Sequence, residues 1–283
     1  MKWWGILGVC MLLLGELGLF TQFAPLFQWH FHLIFFGLIL LVDSLVELIK
    51  GKSLISDNFG KFLLLLVLSA VFWWIFEVIN IYLSSWVMPG QGFALTWSEF
   101  LIRSLRYMTY LTLIFEFAEL IRSLRLFEKY KLKHKHKISR LLIVSFIFLG
   151  FASFVLPAVW PKYFFALVWL AFFFLLDPIN YLHGEPSLIK HFKDRRIGVI
   201  LSLATAGLIC GLLWEYFNFY NPGGWSYTIP FVGFLKIYEM PILGYLGYIP
   251  FAFSLYSMYH FFKHYMKKIE KGKRMESLLY HHR

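Results

Sequence analysis

Charge is what this sequence has least of. Only 15% of its 283 residues are Asp, Glu, Lys or Arg, whereas 59% are hydrophobic and 21% aromatic; a soluble domain carries about a quarter charged residues. Such a chain cannot hide its apolar surface in a single aqueous core, which excludes an ordinary soluble domain. Cysteine is scarcer still. Cys10 and Cys210 both fall in apolar runs, where they read as small hydrophobes, so neither a disulfide framework nor thiol chemistry is expected. The sequence also lacks a glycine-rich phosphate loop, a Cys-x-x-Cys pair and a Gly-x-Ser-x-Gly elbow, so soluble-type nucleotide binding and serine-hydrolase chemistry have no support. No cofactor is expected. His260 and His264 have the i, i+4 spacing of a metal site, but no acidic third ligand is near in sequence and Lys263, Lys267 and Lys268 surround them. No metal is expected either.

What is present is a series of long apolar runs. Spans are expected at about 3–20, 31–49, 62–87, 100–121, 141–160, 163–182, 198–220 and 241–262, each near the roughly 20 residues that cross a bilayer. The basic residues sort themselves against these spans. Of the 27 Lys and Arg, only Arg103, Arg106, Lys162 and Lys236 fall on one side and the other 23 on the opposite side. This is the positive-inside pattern. It predicts eight transmembrane helices in an all-α, polytopic protein of the cell's inner membrane, with both termini cytoplasmic. The basic charge is thereby topological: anionic lipid head groups, not nucleic acid, are the expected contact.

The chain also reads as a duplication. Leu14-Gly15 recurs as Leu149-Gly150, LLVDSLVEL around Asp43 as FLLDPINYL around Asp177, and GKSLI as GEPSLI. FEVIN, with Glu77 and Asn80, recurs as WEYFN, with Glu215 and Asn218. Trp86 recurs as Trp225, and WSEF with Glu99 stands opposite IYEM with Glu239. The order is kept and the offset drifts only from 134 to 140 residues. The expected organisation is a four-helix repeat over 1–127, a basic cytoplasmic linker over 128–140, a second four-helix repeat over 141–266 and a basic tail over 267–283. Four helices return the chain to its starting side, so the repeats should be parallel.

Ionisable groups at bilayer depth are costly and face a bundle interior or a cavity. Glu77 and Glu215 are the candidate catalytic acids, in the outer half of the bilayer, each with an asparagine three residues on, hence on the same helix face. Asn80 and Asn218 are expected to orient substrate or carboxylate. Arg103, Lys236 and Glu239 are the expected charged partners of this layer, with Trp86 and Trp225 as aromatic contacts for an apolar small-molecule substrate. A second layer, Asp43 with Glu47 and Asp177 with Asn180, precedes Ser53 and Ser187 and is expected to cap short helices. Glu119 and Arg122 are spaced for a local ion pair.

The second half carries D-P-I-N-Y-L-x-G-x-P-S-L-I from Asp177, then G-L-I-C-G-L-L-W-E-Y-F-N, W-S-Y-T-I-P and K-I-Y-E-M-P-I-L-G-Y-L-G-Y-I-P-F-A. This run resembles a group of uncharacterised prokaryotic multi-pass membrane proteins with a D-P-x-N, W-E-x-x-N, E-M-P signature. The resemblance implies a multi-pass membrane fold and no particular activity. In architecture alone, repeated helices with intramembrane carboxylates look like the carotenoid enzymes of the lycopene-cyclase type, whose Pro-x-Glu-Glu motif this chain lacks. The expected function is proton-transfer chemistry on a lipid or isoprenoid; a transporter or lipid carrier with a site between the repeats, or an accessory subunit without chemistry, are the alternatives.

Overall fold

A computed structural model describes residues 1–88, 96–134 and 136–280, with side chains described as far as Ile269. Eight helices of 15 residues or more dominate it: α1 (Trp3–Thr21), α2 (Ala24–Lys50), α4 (Phe59–Leu83), α5 (Trp97–Ser123), α6 (Arg140–Val159), α8 (Val168–Leu182), α10 (Ile197–Phe219) and α11 (Tyr248–Tyr280). Short helices α3 (Leu54–Asp57), α7 (Pro161–Phe164) and α9 (Leu188–Lys193) lie between them. Among the described residues, six segments are long and apolar enough to cross a membrane: α1, α2, α4, α6, Pro161–Leu182 and α10. The fold is that of a mostly helical, multi-pass membrane protein. Helices α5 and α11 fall outside this group for different reasons: Glu99, Arg103, Arg106, Glu116 and Glu119 interrupt α5, whereas tyrosines, serines and histidines make α11 too polar.

Several boundaries differ from expectation, among them the start of α2, at Ala24 and not near 31. Helix α4 stops at Leu83, four residues early, and Trp86–Val87 form strand β1 instead. The span expected from 241 opens with a strand and a 3-10 turn, so α11 begins only at Tyr248. That helix then continues to Tyr280, through the segment expected to be a separate tail. The early stop of α4 has a local cause: Asn80 takes over the chain, as described below.

Helix α1 packs along α2 through glycine. A Cβ on Gly8 would stand 2.6 Å from the Gly37 carbonyl oxygen, and one on Gly37 2.8 Å from that of Gly8; small residues let two backbones approach this closely where no hydrophobic force separates helix from lipid. Neighbouring pairs then run α2 on α5, α5 on α4 and on α10, α10 on α11, α11 on α8, and α8 on α6. The buried core lies among α2, α4, α5, α10 and α11. Outward faces of α1 and α6 expose Trp3, Leu13, Leu141 and Phe148, the apolar exterior of a protein meant for lipid.

Two aspartates anchor the short helices. Asp43 accepts from Trp4 Nε1 at 3.0 Å, Ser53 Oγ at 2.6 Å and the Ile55 amide at 3.0 Å. Asp177 accepts from the Leu188 and Ile189 amides at 2.7 and 2.9 Å and from Ser257 Oγ at 3.2 Å. Ser53 and Ser187 are the N-caps of α3 and α9, as expected. The carboxylates complement the open amides of those helix starts. Glu119 and Arg122 form the expected i, i+3 pair at 3.1 Å, and Lys50 joins the same glutamate.

Candidate functional site

The two glutamates sit on α4 and α10, but their partners are neutral. Glu215 is 0% exposed. Its Oε1 accepts from Tyr227 Oη and from Tyr248 Oη, both at 2.6 Å, and Trp225 Nε1 donates to Tyr227 Oη at 2.7 Å. Glu215 Oε2 has no partner. Glu77 Oε1 accepts from Trp73 Nε1 at 2.8 Å and from Tyr107 Oη at 3.0 Å. Aromatic donors therefore satisfy one oxygen of each acid, a charge-assisted arrangement if the acid is ionised.

Among the described residues, neither expected basic partner forms a salt bridge with Glu77 or Glu215. Lys236 lies in strand β3 (Lys236–Ile237), which pairs with β4 (Met240–Pro241), and its Nζ stands 3.8 Å from Glu239 Oε2 at a half-exposed surface. The hairpin lets these two charges satisfy each other and leaves Glu215 to the tyrosines. Among the described residues no salt bridge joins Arg103 to Glu77. Glu99 instead closes a capping box with Thr96 at the start of α5. The arginine that is engaged in this layer is Arg106, whose guanidinium lies 4.7 Å from the Phe31 ring.

The asparagines also differ from expectation. Asn218 Oδ1 accepts from the Trp225 amide at 2.7 Å and its Nδ2 donates to the Trp225 carbonyl at 2.8 Å. Asn80 does the same for Trp86, accepting from its amide at 3.3 Å and donating to its carbonyl at 2.8 Å, and it also accepts from the Ser85 amide at 2.8 Å. Each asparagine thus holds the tryptophan that follows its helix and does not touch its glutamate. This pairing ends α4 and α10 and turns the chain inward. Strand β1 then pairs antiparallel with β2 (Ser226–Tyr227), placing Trp86 opposite Tyr227 and Val87 opposite Ser226.

These elements border a partly open cavity of about 490 Å³, within the range of small-molecule sites. Its walls include the rings of Trp73, Trp86, Trp169, Trp214, Trp225 and Phe251, together with Tyr110, Tyr227 and Tyr248, and aliphatic residues such as Leu170, Ile229 and Leu243 complete them. Among the described residues, no Asp, Glu, Lys, Arg or His lines it. Both expected tryptophans are in the wall; both glutamates stand one residue behind it. Tyr227 and Tyr248 bridge Glu215 to the cavity, whereas of the Glu77 donors only Trp73 reaches it. The tyrosine contact depends on a small residue. A Cβ on Gly211 would stand 2.2 Å from Tyr248 Cδ2, so only glycine there lets the ring reach Glu215 one turn further along α10.

Sequence reasoning missed Tyr107, Tyr227 and Tyr248. One signal was available: Tyr107 and Tyr248 are 141 residues apart, nearly the offset of the neighbouring pair Glu99 and Glu239. Trp73 was also recoverable, being four residues before Glu77 and so on its helix face.

On the side of α9 a separate polar cluster forms. His264 Nδ1 lies 3.0 Å from Glu185 Oε1 and its ring stacks on His183; the histidine holds Glu185 below the usual carboxylate range. His260 instead lies against Tyr256 with the rings tilted, so the i, i+4 histidines do not converge. His191 Nε2 lies 2.8 Å from Tyr256 Oη. Burial, reinforced by the nearby Arg196 and Arg122 charges, pushes His191 down to about 4. Among the described residues no three metal-ligating side chains gather.

Comparison with protein families, with curated proteins and with solved structures finds no match for this chain. The class is defined by the fold alone: a multi-pass, mostly helical membrane protein with an aromatic cavity.

Proposed function

We propose that this protein is an enzyme of the inner membrane that acts on an apolar lipid or isoprenoid by proton transfer. The observation that carries the reading is the contact of Glu215 Oε1 with two tyrosine hydroxyls that line the cavity. A carboxyl group held out of water behind hydroxyl groups can pass a proton to, or take one from, a substrate at the wall. Glu215 is the acid–base group, Tyr227 and Tyr248 its relay, and Trp86 and Trp225 hold the apolar substrate. Asn80 and Asn218 position those tryptophans. Glu77, which accepts from Tyr107 of α5 as well as from Trp73 of its own helix, locks α4 to α5.

The proposed frame is two parallel four-helix repeats, eight spans in all, with both termini cytoplasmic. It is supported by the 23-to-4 division of basic residues and by matched local contacts: Asp43 with Asp177 at α3 and α9, Asn80 with Asn218, and Tyr107 with Tyr248. Antiparallel pairing of β1 with β2 is what a two-fold axis between equivalent segments would produce. In this frame membrane lipids are the surrounding partner and the source of substrate.

Glu215→Gln tests the reading. Lipid extracts of cells carrying wild type, the variant and a deletion are compared by mass spectrometry. The proposal expects one lipid class to change in the deletion and equally in Glu215→Gln; unchanged profiles in all three contradict it. A second reading, a lipid carrier, draws on the position of Glu215 behind the wall: the cavity then holds its ligand without reacting it. In that case the variant alters lipid distribution between leaflets and makes no new product.

A further inference from the structure

We propose that the cavity is built for a poorly hydrated organic cation, so that the substrate of the reaction proposed above is one that becomes positively charged while bound. The inference rests on that reading for its chemistry and on the cavity wall for its evidence. Aromatic rings present their electron-rich faces to a cation, and the attraction grows when water is excluded. Here five tryptophans, four tyrosines and three phenylalanines line one space, alongside aliphatic residues such as Leu170, Ile229 and Leu243. The rings are also held against one another: Trp73 lies 4.5 Å from Tyr110 and 5.7 Å from Phe251, Trp169 5.7 Å from Trp86, and Tyr110 5.0 Å from Trp214. A wall so braced cannot collapse to fill the space without losing ring–ring contacts.

Charge distribution points the same way. Glu215 and Glu77 stand directly behind the wall, each bonded to a ring that forms it. The cations of this region are directed elsewhere: Arg106 to Phe31 and Lys236 to Glu239, none of which lines the cavity. Lys162 already shows the preference, with its ammonium 5.6 Å from the ring of Phe231, a residue of the cavity rim. The aliphatic part of the lining, Leu170, Ile229, Val232 and Leu243 among it, suits the hydrocarbon of a substrate, and the rings backed by carboxyl groups favour positive charge on it.

For an alkene substrate the step balances without a co-reactant. Tyr227 Oη gives its proton to one alkene carbon while protonated Glu215 restores the proton to Tyr227. The π pair becomes the new C–H bond, positive charge is left on the neighbouring carbon, and Glu215 becomes a carboxylate. Loss of a proton from an adjacent C–H along the reverse path then re-forms a double bond and returns the proton to Glu215. The rings face the charge during the interval.

The experiment compares two probes of the same shape: benzyltrimethylammonium, a cation, and neopentylbenzene, its neutral carbon analogue. Binding to purified wild type in lipid nanodiscs is followed by tryptophan fluorescence and calorimetry. We expect the cation to bind about tenfold more tightly than the hydrocarbon. Replacing Trp169 with Leu should lower that ratio at least threefold, while Trp169→Phe keeps most of it. Equal binding, or preference for the hydrocarbon, overturns the inference, and does so on wild type even if a variant fails to fold. Failure here leaves the Glu215→Gln lipid comparison standing; unchanged lipid profiles with the cation preference intact would instead remove the chemistry and keep the site.

Discussion

Tyr248 Oη and Glu215 Oε1 are 2.6 Å apart across the junction of α10 and α11. Their contact joins the first turn of α11 to the buried acid and puts a hydroxyl on the cavity wall. Everything proposed for the site passes through it and through its partner bond from Tyr227.

The first prediction concerns these hydroxyls. Tyr227→Phe and Tyr248→Phe each leave a buried carboxyl oxygen with one donor fewer, a loss of about 1–3 kcal/mol. Because both bonds end on one oxygen, the double variant should fall by more than the sum of the two. Thermal unfolding in detergent measures the stabilities; simple additivity would contradict a shared site.

Gly211→Ala should act at a distance from the carboxyl. The new methyl carbon would meet the Tyr248 ring at 2.2 Å, and overpacking of this kind costs about 1–3 kcal/mol. Displacing the ring should also reproduce the activity loss of Tyr248→Phe. Gly211→Ala with full stability and unchanged lipid profile would show that the tyrosine contact is dispensable.

Asn218→Ala should free the Trp225 segment. It removes the partners of both the amide and the carbonyl of Trp225, at about 1–3 kcal/mol. Hydrogen exchange at the Trp225 amide should rise by at least tenfold while exchange in the centre of α10 is unchanged. By contrast Lys236→Ala should cost less than about 0.5 kcal/mol, because its pair with Glu239 is long and half-exposed.

How much of this was legible in the chain differs by level. The long helices, the Asp–Ser caps and the Glu119–Arg122 pair follow from apolar run length, charge placement and short spacings, all of which are local. The partners of the glutamates were not legible. Charge logic pairs Glu215 with the basic residue nearest in its layer, but Lys236 meets Glu239 inside a hairpin, and Glu99 is taken by the cap of α5. The Thr96-x-x-Glu99 capping box can be read in the sequence. Of the 16 tyrosines in the chain, the repeat offset singles out Tyr107 and Tyr248 but nothing local singles out Tyr227, and the room that Gly211 opens for Tyr248 is visible only in the packing. The bonds of Asn80 and Asn218 to the backbone of Trp86 and Trp225 were not legible either, since helix spacing reports a shared face and not which side of it is already bonded to a loop.

A fourth prediction is a pH dependence at the α9 side. His191, with its folded-state value depressed to about 4 from 6.5, stays neutral in the fold where the unfolded chain is already gaining a proton. Its contribution is whole above about pH 6.5 and is lost as pH falls toward about 4, by at most about 1.4 kcal/mol per unit. Unfolding midpoints at pH 7.5 and 5 should therefore differ, and the difference should shrink in His191→Gln.

The account rests on a substrate that reaches the tyrosines. A structure of the protein extracted with its native lipid tests this most directly. The account predicts elongated density between Trp86, Trp169 and Trp225, ending within hydrogen-bond reach of the Tyr227 and Tyr248 hydroxyls. Lipid density confined to the outer faces of α1 and α6, with the cavity holding only water, would contradict it.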